Sequence, residues 1–418
     1  MRVFYVPWLH FHQPLVWDNS KLISNVQKMI FSKDSRERWD GKLISRAYKN
    51  PAKYIKQLRE EGHDAKIMLD FSGILLESLH ELSKQGFFDK LEVNGEKIGD
   101  IIKIYKEVLK KFPDSIEIAG TPYSHCYFPS TPEDDWRLQI EEWKKVFKKI
   151  FGIKALKRVR GFWLPEMGVP GFEDKLLKLI SLIKETGFEW IILPLQCLEG
   201  YEKLSFEGKI KIACQPHLLR VKDETITTIF RIPTYFIDQQ AGCAVEELYK
   251  RLIFLGNVFE KISKKPALVV PASDGENGNV MMNEFFPKTF LPFFKEKKDE
   301  KICSLLVSDF LDNFYELPPK SEIKIKTFGS SWVGTHKFWT EGIERSKLIE
   351  RNYKLSKNFH LVEEKLKIKG KKEFENLKKL LLISETSCYL YWGTSFWLEQ
   401  GMKTMEFLEN KISEVKKR

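Results

Sequence analysis

Short runs rich in β-branched and aromatic residues alternate along this chain with longer segments whose apolar residues recur every three or four positions. The runs at 3–12, 65–71, 116–120, 159–164, 190–193, 227–232 and 267–272 predict strands. The segments at 52–61, 74–85, 98–111, 132–151, 172–186 and 245–263 predict helices between them. Alternation of this length argues for an α/β fold with parallel strands. The runs at 190–193 and 268–270 are apolar on consecutive residues, as in a sheet covered on both faces. Seven strands are too many for a minimal doubly wound sheet and one short of an eight-fold barrel. The pattern therefore predicts an incomplete or seven-stranded (β/α) barrel. Pro7 interrupts the first run, where it lacks a ladder donor, so a bend or bulge is expected there.

After about residue 300 the pattern changes. Residues 323–339 read as an extended, aromatic-rich loop region. Residues 342–367 and 372–416 read as long helices, broken near Gly370 and Gly393. The expected organisation is a barrel over 1–300, then a loop region and helical subdomain over 301–418 packed against it. No internal repeat or low-complexity linker interrupts this plan.

The 418 residues are 43% hydrophobic and 30% charged, which suits a folded, soluble chain. The formal net charge is +11, but lysine clusters such as 295–301 are interleaved with acids and read as solvated helix faces. A Lys/Glu-rich surface is also a thermophile signal. No zinc-finger, RNP or helix-turn-helix pattern accompanies the charge, so nucleic acid is not expected as a partner. No apolar run approaches a membrane span, and the first strand starts at once without a leader pattern, so a cytoplasmic location is expected. Six cysteines at 126, 197, 214, 243, 303 and 388 show no paired spacing, which predicts reduced thiols and no zinc framework. The sequence is silent on oligomeric state.

Polar clusters fall at the carboxyl ends of the predicted strands: HFHQP at 10–14, GTPYSHCYFP at 120–129, WLPE at 163–166 and SDGENG at 273–278. In a (β/α) barrel those ends open onto one face, which carries the site. His10 and His12, two apart on a strand, leave the same face. Neutral imidazoles can bind sugar hydroxyls, can ligate a metal, or can be hydrogen-bonded structural groups, and His125 adds to the first two readings. Glu166 follows Trp163 at a strand end, where it can meet a sugar ring or simply cap the next helix. Asp274 and Glu276 lie between Gly275 and Gly278; the spacing does not match an EF-hand loop, and D-G turns are common in loops. Two carboxyls across one barrel mouth, Glu166 and Asp274, are what glycoside cleavage requires. GSSWVGTHKFW at 329–339 supplies Trp332, His336 and Trp339, and SCYLYWGTSFW at 387–397 supplies Tyr389, Tyr391, Trp392 and Trp397, all of which can be sugar platforms or core.

Taken in order, HFHQP, GTPYSHCYFP, WLPE, SDGENG and SCYLYWGTSFW resemble the ordered regions of glycoside hydrolase family 57 over nearly the whole chain. The resemblance implies a seven-stranded (β/α) barrel with a helical domain completing the cleft, and a retaining mechanism on α-linked glucans. It implies Glu166 as nucleophile and Asp274 as general acid/base, with His10, His12 and His125 around the cleaved sugar. Gln13, Trp163, Glu276, Trp332, His336 and Trp392 complete the expected substrate-binding set. No metal and no cofactor is implied, and the expected partner is an α-glucan or maltooligosaccharide. The fourth region reads DGENGN rather than the DGEKFG of glucanotransferase-type members. HQP and DGE also differ from the branching-type HxHLP and DAELFG. The expectation is therefore an α-amylase or 4-α-glucanotransferase. The competing expectations are a metal-dependent deacetylase or mannosidase-like enzyme using the histidines, and a non-catalytic glucan-binding protein.

Overall fold

Pro7 and Pro271 sit side by side and organise the centre of the computed structural model, which describes residues 1–417. Each proline divides a run in two. The first run forms Val3–Tyr5 and Trp8–Phe11; the last forms Ala267–Val269 and Ala272–Asp274. The halves pair in parallel, Val3 with Ala267 and Trp8 with Ala272, so the register is the same on either side of the break. The interruption expected at Pro7 is thus a bend shared by two strands and not a bulge. The proline carbonyls still work in the ladder, Pro271 accepting from Trp8 N–H and Pro7 from Met68 N–H.

One parallel sheet runs Ala272–Asp274, Trp8–Phe11, Ile67–Phe71, Ile116–Ala119. A second carries Gly161–Trp163, Trp190–Pro194 and Glu224–Arg231, also in parallel. A parallel bridge between Gly120 and Phe162 joins the sheets at one end. At the other, Ile232 N–H donates to Val270 O at 2.9 Å. These strands are buried on both faces, as their unbroken apolar runs require. The hairpin strand His217–Val221, antiparallel to Glu224–Arg231, was not among the predicted elements.

Helices connect the strands, and their starts follow local chemistry. Asp34 accepts from Arg36 and Glu37 N–H and opens helix Ser35–Glu60. The segment predicted at 52–61 is only the last part of this helix, because Pro51, which suits a helix start, lies inside it. Ser72 accepts from Leu75 N–H to cap Gly73–Lys84, and the same hydroxyl meets His12 Nδ1 at 2.7 Å. That cap therefore also fixes a site residue.

Beyond residue 300 the chain forms helices Ile343–Lys369, Lys371–Ser384, Ser387–Tyr391 and Ser395–Lys416. Breaks occur at Gly370 and around Gly393 as expected, and a further one falls at Glu385–Thr386. Leu355, Phe359, Leu381, Met405 and Leu408 build a separate core between these helices. Lys379 pairs with Glu77, and Gln400 accepts from Trp17 N–H, tying these helices to helix Gly73–Lys84 and to the hairpin strand Leu15–Asp18. The final residue of the predicted helical subdomain, Arg418, lies outside the described residues. All six cysteines are free, and among the described residues no helix is long and apolar enough to cross a membrane.

Candidate active site

The four polar strand ends and the break at Glu385–Thr386 meet around a cavity of about 440 Å³. Its wall is built by consecutive stacking of rings. Trp163 lies flat on His10, at 5.0 Å and 9°. His10 stacks on His125 at 4.7 Å, and His125 on His12 at 4.2 Å and 9°. His125 reaches this position through a left-handed backbone, φ 61°, an uncommon conformation for a residue with a Cβ.

The three imidazoles differ in charge. Burial alone would hold His10 neutral, but Asp70, with Oδ2 2.5 Å from Nδ1, outweighs it and raises His10 to about 9. Trp8 Nε1 donates to the other Asp70 oxygen at 2.7 Å, so the carboxylate is held from both sides. His12 and His125 lie well below the ordinary imidazole range because they are buried, with neighbouring imidazole charge adding to the effect. His10 is therefore a cation between an indole face and a neutral imidazole. Among the described residues no group of three or more His, Cys, Asp or Glu side chains could hold a metal ion; the imidazoles are stacked face to face.

Glu166 sits at the end of Gly161–Trp163 with φ 57° and ψ 14°, and Met167 follows at φ 47°. Two successive left-handed residues with side chains are strained, a feature that collects at functional positions. The strain turns the Glu166 carboxyl into the cavity, where it is 9% exposed. Ser387 Oγ donates to its Oε1 at 3.2 Å, and Trp332 N–H donates to its backbone oxygen. Burial pushes the carboxyl up to about 7; the Asp274 charge adds to the rise, while His10, Ser387 and Trp332 pull it back. Asp274 is likewise raised by burial, against the opposing pull of His10 and Arg231.

The hydroxyl of Ser387 has one proton, and Glu166 receives it. His125 Nδ1, 2.8 Å from the same oxygen, must then be the N–H donor, which leaves Nε2 as an acceptor. That Nε2 is buried and has no protein partner. It suits a hydroxyl of a bound ligand.

Gln13, Glu276, Trp332 and Trp392 also line the cavity. Trp392 is 54% exposed at the mouth and offers a free face. Glu276 is engaged differently: it accepts His12 N–H at 2.7 Å and the Tyr48 hydroxyl, and burial raises it to about 8. It holds the histidine strand in place. Two expected ligand contacts do not line the cavity. Trp163 is fully buried behind His10 and backs the imidazole instead of meeting a ligand. His336 has both nitrogens occupied, by the Tyr127 hydroxyl and by Phe328 O.

Asp70 and Ser387 were not among the expected residues. Asp70 reads in sequence as one acid within the apolar run IMLDF, and its partners lie on the neighbouring strand. Replacing Asp70 by Asn should return His10 to the neutral state. A ten- to hundredfold loss in kcat/KM is expected, matching a charge-assisted hydrogen bond of roughly 1.5–3 kcal/mol. Steady-state kinetics on the folded variant measure it, and an unchanged kcat/KM would show that the His10 charge is idle.

The family model for glycosyl hydrolase family 57 matches residues 6–326. No curated protein matches the chain in sequence. Among solved structures, the 4-α-glucanotransferase of Thermococcus litoralis superposes with a TM-score of 0.67 at 17% identity, covering 98% of this chain. This chain spans only 59% of that enzyme's length. A branching enzyme of Thermococcus kodakaraensis, solved with glucose, gives 0.70 at 14% identity, with 99% and 91% of the two chains covered. The α-amylase AmyC of Thermotoga maritima gives 0.63 at 14% identity, with 99% and 93% covered.

Proposed function

The chain belongs to glycosyl hydrolase family 57, and from that premise we propose that it is a retaining enzyme of α-1,4-linked glucans, an α-amylase or a 4-α-glucanotransferase. The observation that carries the reading is the pair Glu166 and Asp274, one carboxyl buried and the other half-buried on one cavity, each raised and Glu166 partly so by the charge of Asp274. Glu166 attacks the anomeric carbon as Asp274 gives its proton to the departing glycosidic oxygen. The C–O bond breaks and a glycosyl ester forms on Glu166. Asp274, now a carboxylate, takes a proton from water or from a sugar hydroxyl, which attacks the same carbon and frees Glu166.

The buried His10 cation lies beside both carboxyls and favours their ionised forms. The free acceptor on His125 and the exposed face of Trp392 supply a hydroxyl contact and a stacking platform. The joined parallel sheets support the reading of an incomplete (β/α)7 barrel over 1–300, with 301–418 completing the cleft. Linked ion pairs such as Lys378–Glu142–Lys145 support a heat-tolerant protein.

Glu166 attacks as the carboxylate, so kcat/KM should rise with pH through about 7. A pH profile with its acid limb near the ordinary glutamate value of about 4.3 would contradict the buried state described above. The deciding experiment is covalent trapping of a fluorinated glucosyl donor followed by peptide mapping. The label is expected on the peptide containing Glu166; a label elsewhere, or none during turnover, would overturn the assignment. Products longer than the starting maltooligosaccharide would mark transfer, and their absence hydrolysis.

A further inference from the structure

Behind the cavity wall lies a buried group of polar side chains that the reaction itself does not touch. Asp135 precedes helix Trp136–Phe151, yet its carboxyl does not cap that helix. Oδ1 accepts from His360 Nε2 at 2.7 Å. The other oxygen, Oδ2, is buried without a donor, and so is Glu385 Oε1. The two carboxyls flank Gln139, Asp135 one helical turn before it and Glu385 bonded to its amide at 2.7 Å, and Glu385 feels the charge of Asp135. Two bare carboxylates so placed away from water repel strongly, so one proton is held between them. Burial, then the Asp135 charge, pushes Glu385 well above the usual carboxyl range, so Glu385 carries it. His360 is held as a cation to about 9, first by Asp135, with Glu363 on its other nitrogen.

Gln139, one helical turn after Asp135, joins this pair to the site. Its Nε2 donates to Glu385 Oε2 at 2.7 Å and to Leu382 O at 3.1 Å. Its Oε1 accepts from Ser124 N–H at 2.9 Å. One amide therefore grips the residue before His125 and the residue two before Ser387. Ser387 N–H in turn donates to His125 O at 3.0 Å, and Thr386 pairs with Cys126. The two loops carrying His125 and Ser387 are fastened to each other only a few ångströms from Glu166.

We infer that Asp135, Gln139 and Glu385 are positioning residues that set Ser387 and His125 against Glu166, with a single proton shared by the two buried carboxyls. The inference rests on Glu166 being the nucleophile. The arrangement has a polarity. Asp135 accepts from both sides, whereas Glu385 donates to Asp135 and accepts from Gln139. A neutral amide can replace Glu385, since its N–H donates to Asp135 and its oxygen still accepts from Gln139. An amide at 135 is not equivalent, because it removes the charge that holds the His360 cation and its N–H displaces the Glu385 proton, leaving Glu385 ionised in the buried pair.

The test compares Glu385→Gln, Asp135→Asn and Ser387→Ala in the full chain, by kcat, KM and the pH profile of kcat/KM on maltooligosaccharides. Glu385→Gln is expected to keep kcat within about threefold of the parent, as one neutral hydrogen bond replaces another. Asp135→Asn is expected to lose kcat roughly ten- to hundredfold with KM little changed. Ser387 normally pulls Glu166 down, so Asp135→Asn and Ser387→Ala should both move the acid limb to higher pH. Equal losses in the two amide variants would overturn the shared proton. An unmoved acid limb in Ser387→Ala, or a loss in Asp135→Asn confined to the fraction of folded protein, would overturn the positioning role. Failure of the underlying reading is distinct: the parent would then show no turnover that depends on Glu166.

Discussion

Replacing Glu166 by Gln is expected to lower turnover of maltooligosaccharides by roughly 10⁴-fold or more, the scale of removing a covalent nucleophile. The amide has the shape of the acid and its oxygen still accepts from Ser387, so the cavity wall keeps its form. What is lost is the atom that bonds to the anomeric carbon. Measured kcat, set beside a thermal unfolding curve for the same sample, separates lost chemistry from lost structure. A folded variant with near-parent kcat would remove Glu166 from the mechanism.

Replacing Asp274 by Asn should reduce kcat by about 10²–10⁴-fold on natural glucans, the range for a positioned acid or base. The loss should depend on the leaving group. A glucosyl fluoride needs no proton to depart, so the first step should be largely spared. The second step still lacks its base, and the glycosyl ester on Glu166 should accumulate as a burst. Equal losses in the rate of the first step on both substrates would argue that Asp274 does not protonate the leaving oxygen. Asp274 is held in place by neighbours on two sides: Gly275 N–H donates to His10 O at 2.8 Å, and a Cβ at Gly275 would overlap the Phe11 ring. The strand end that carries the acid has no room to shift.

The ordered strand ends were legible in sequence because polar residues cluster where the chain leaves the sheet. Those clusters located His10, Glu166 and Asp274. Local pattern does not report what lies behind them. Asp70 within IMLDF has the signature of a core strand, and only the neighbouring strand reveals that it charges His10. Trp163 was legible as part of the site, but not which face it presents; the imidazole of His10 takes the face expected to meet sugar. His336 likewise gives both nitrogens to the protein.

In the helical region, Gly370 and Gly393 announced their breaks. The break at Glu385–Thr386 has no glycine or proline to mark it. It forms because Ser387 and Thr386 bond to His125 and His12, contacts across more than 260 residues. The long helix Ser35–Glu60 was foreshortened in sequence for the opposite reason. Pro51 looks like a beginning, yet the packing of Ala47, Tyr48, Ala52 and Ile55 carries the helix through it.

The left-handed backbone at Glu166 and Met167 sets the chain's durability against its chemistry. A carboxyl that is buried, repelled by Asp274 and attached to strained backbone is a local liability to the folded state. Substitutions there that relieve the burden, glycine at 166 above all, should raise the unfolding temperature while abolishing turnover. A selection for heat resistance alone would therefore drift toward inert proteins at this position. Activity has to be part of any screen that seeks a hardier form of this enzyme.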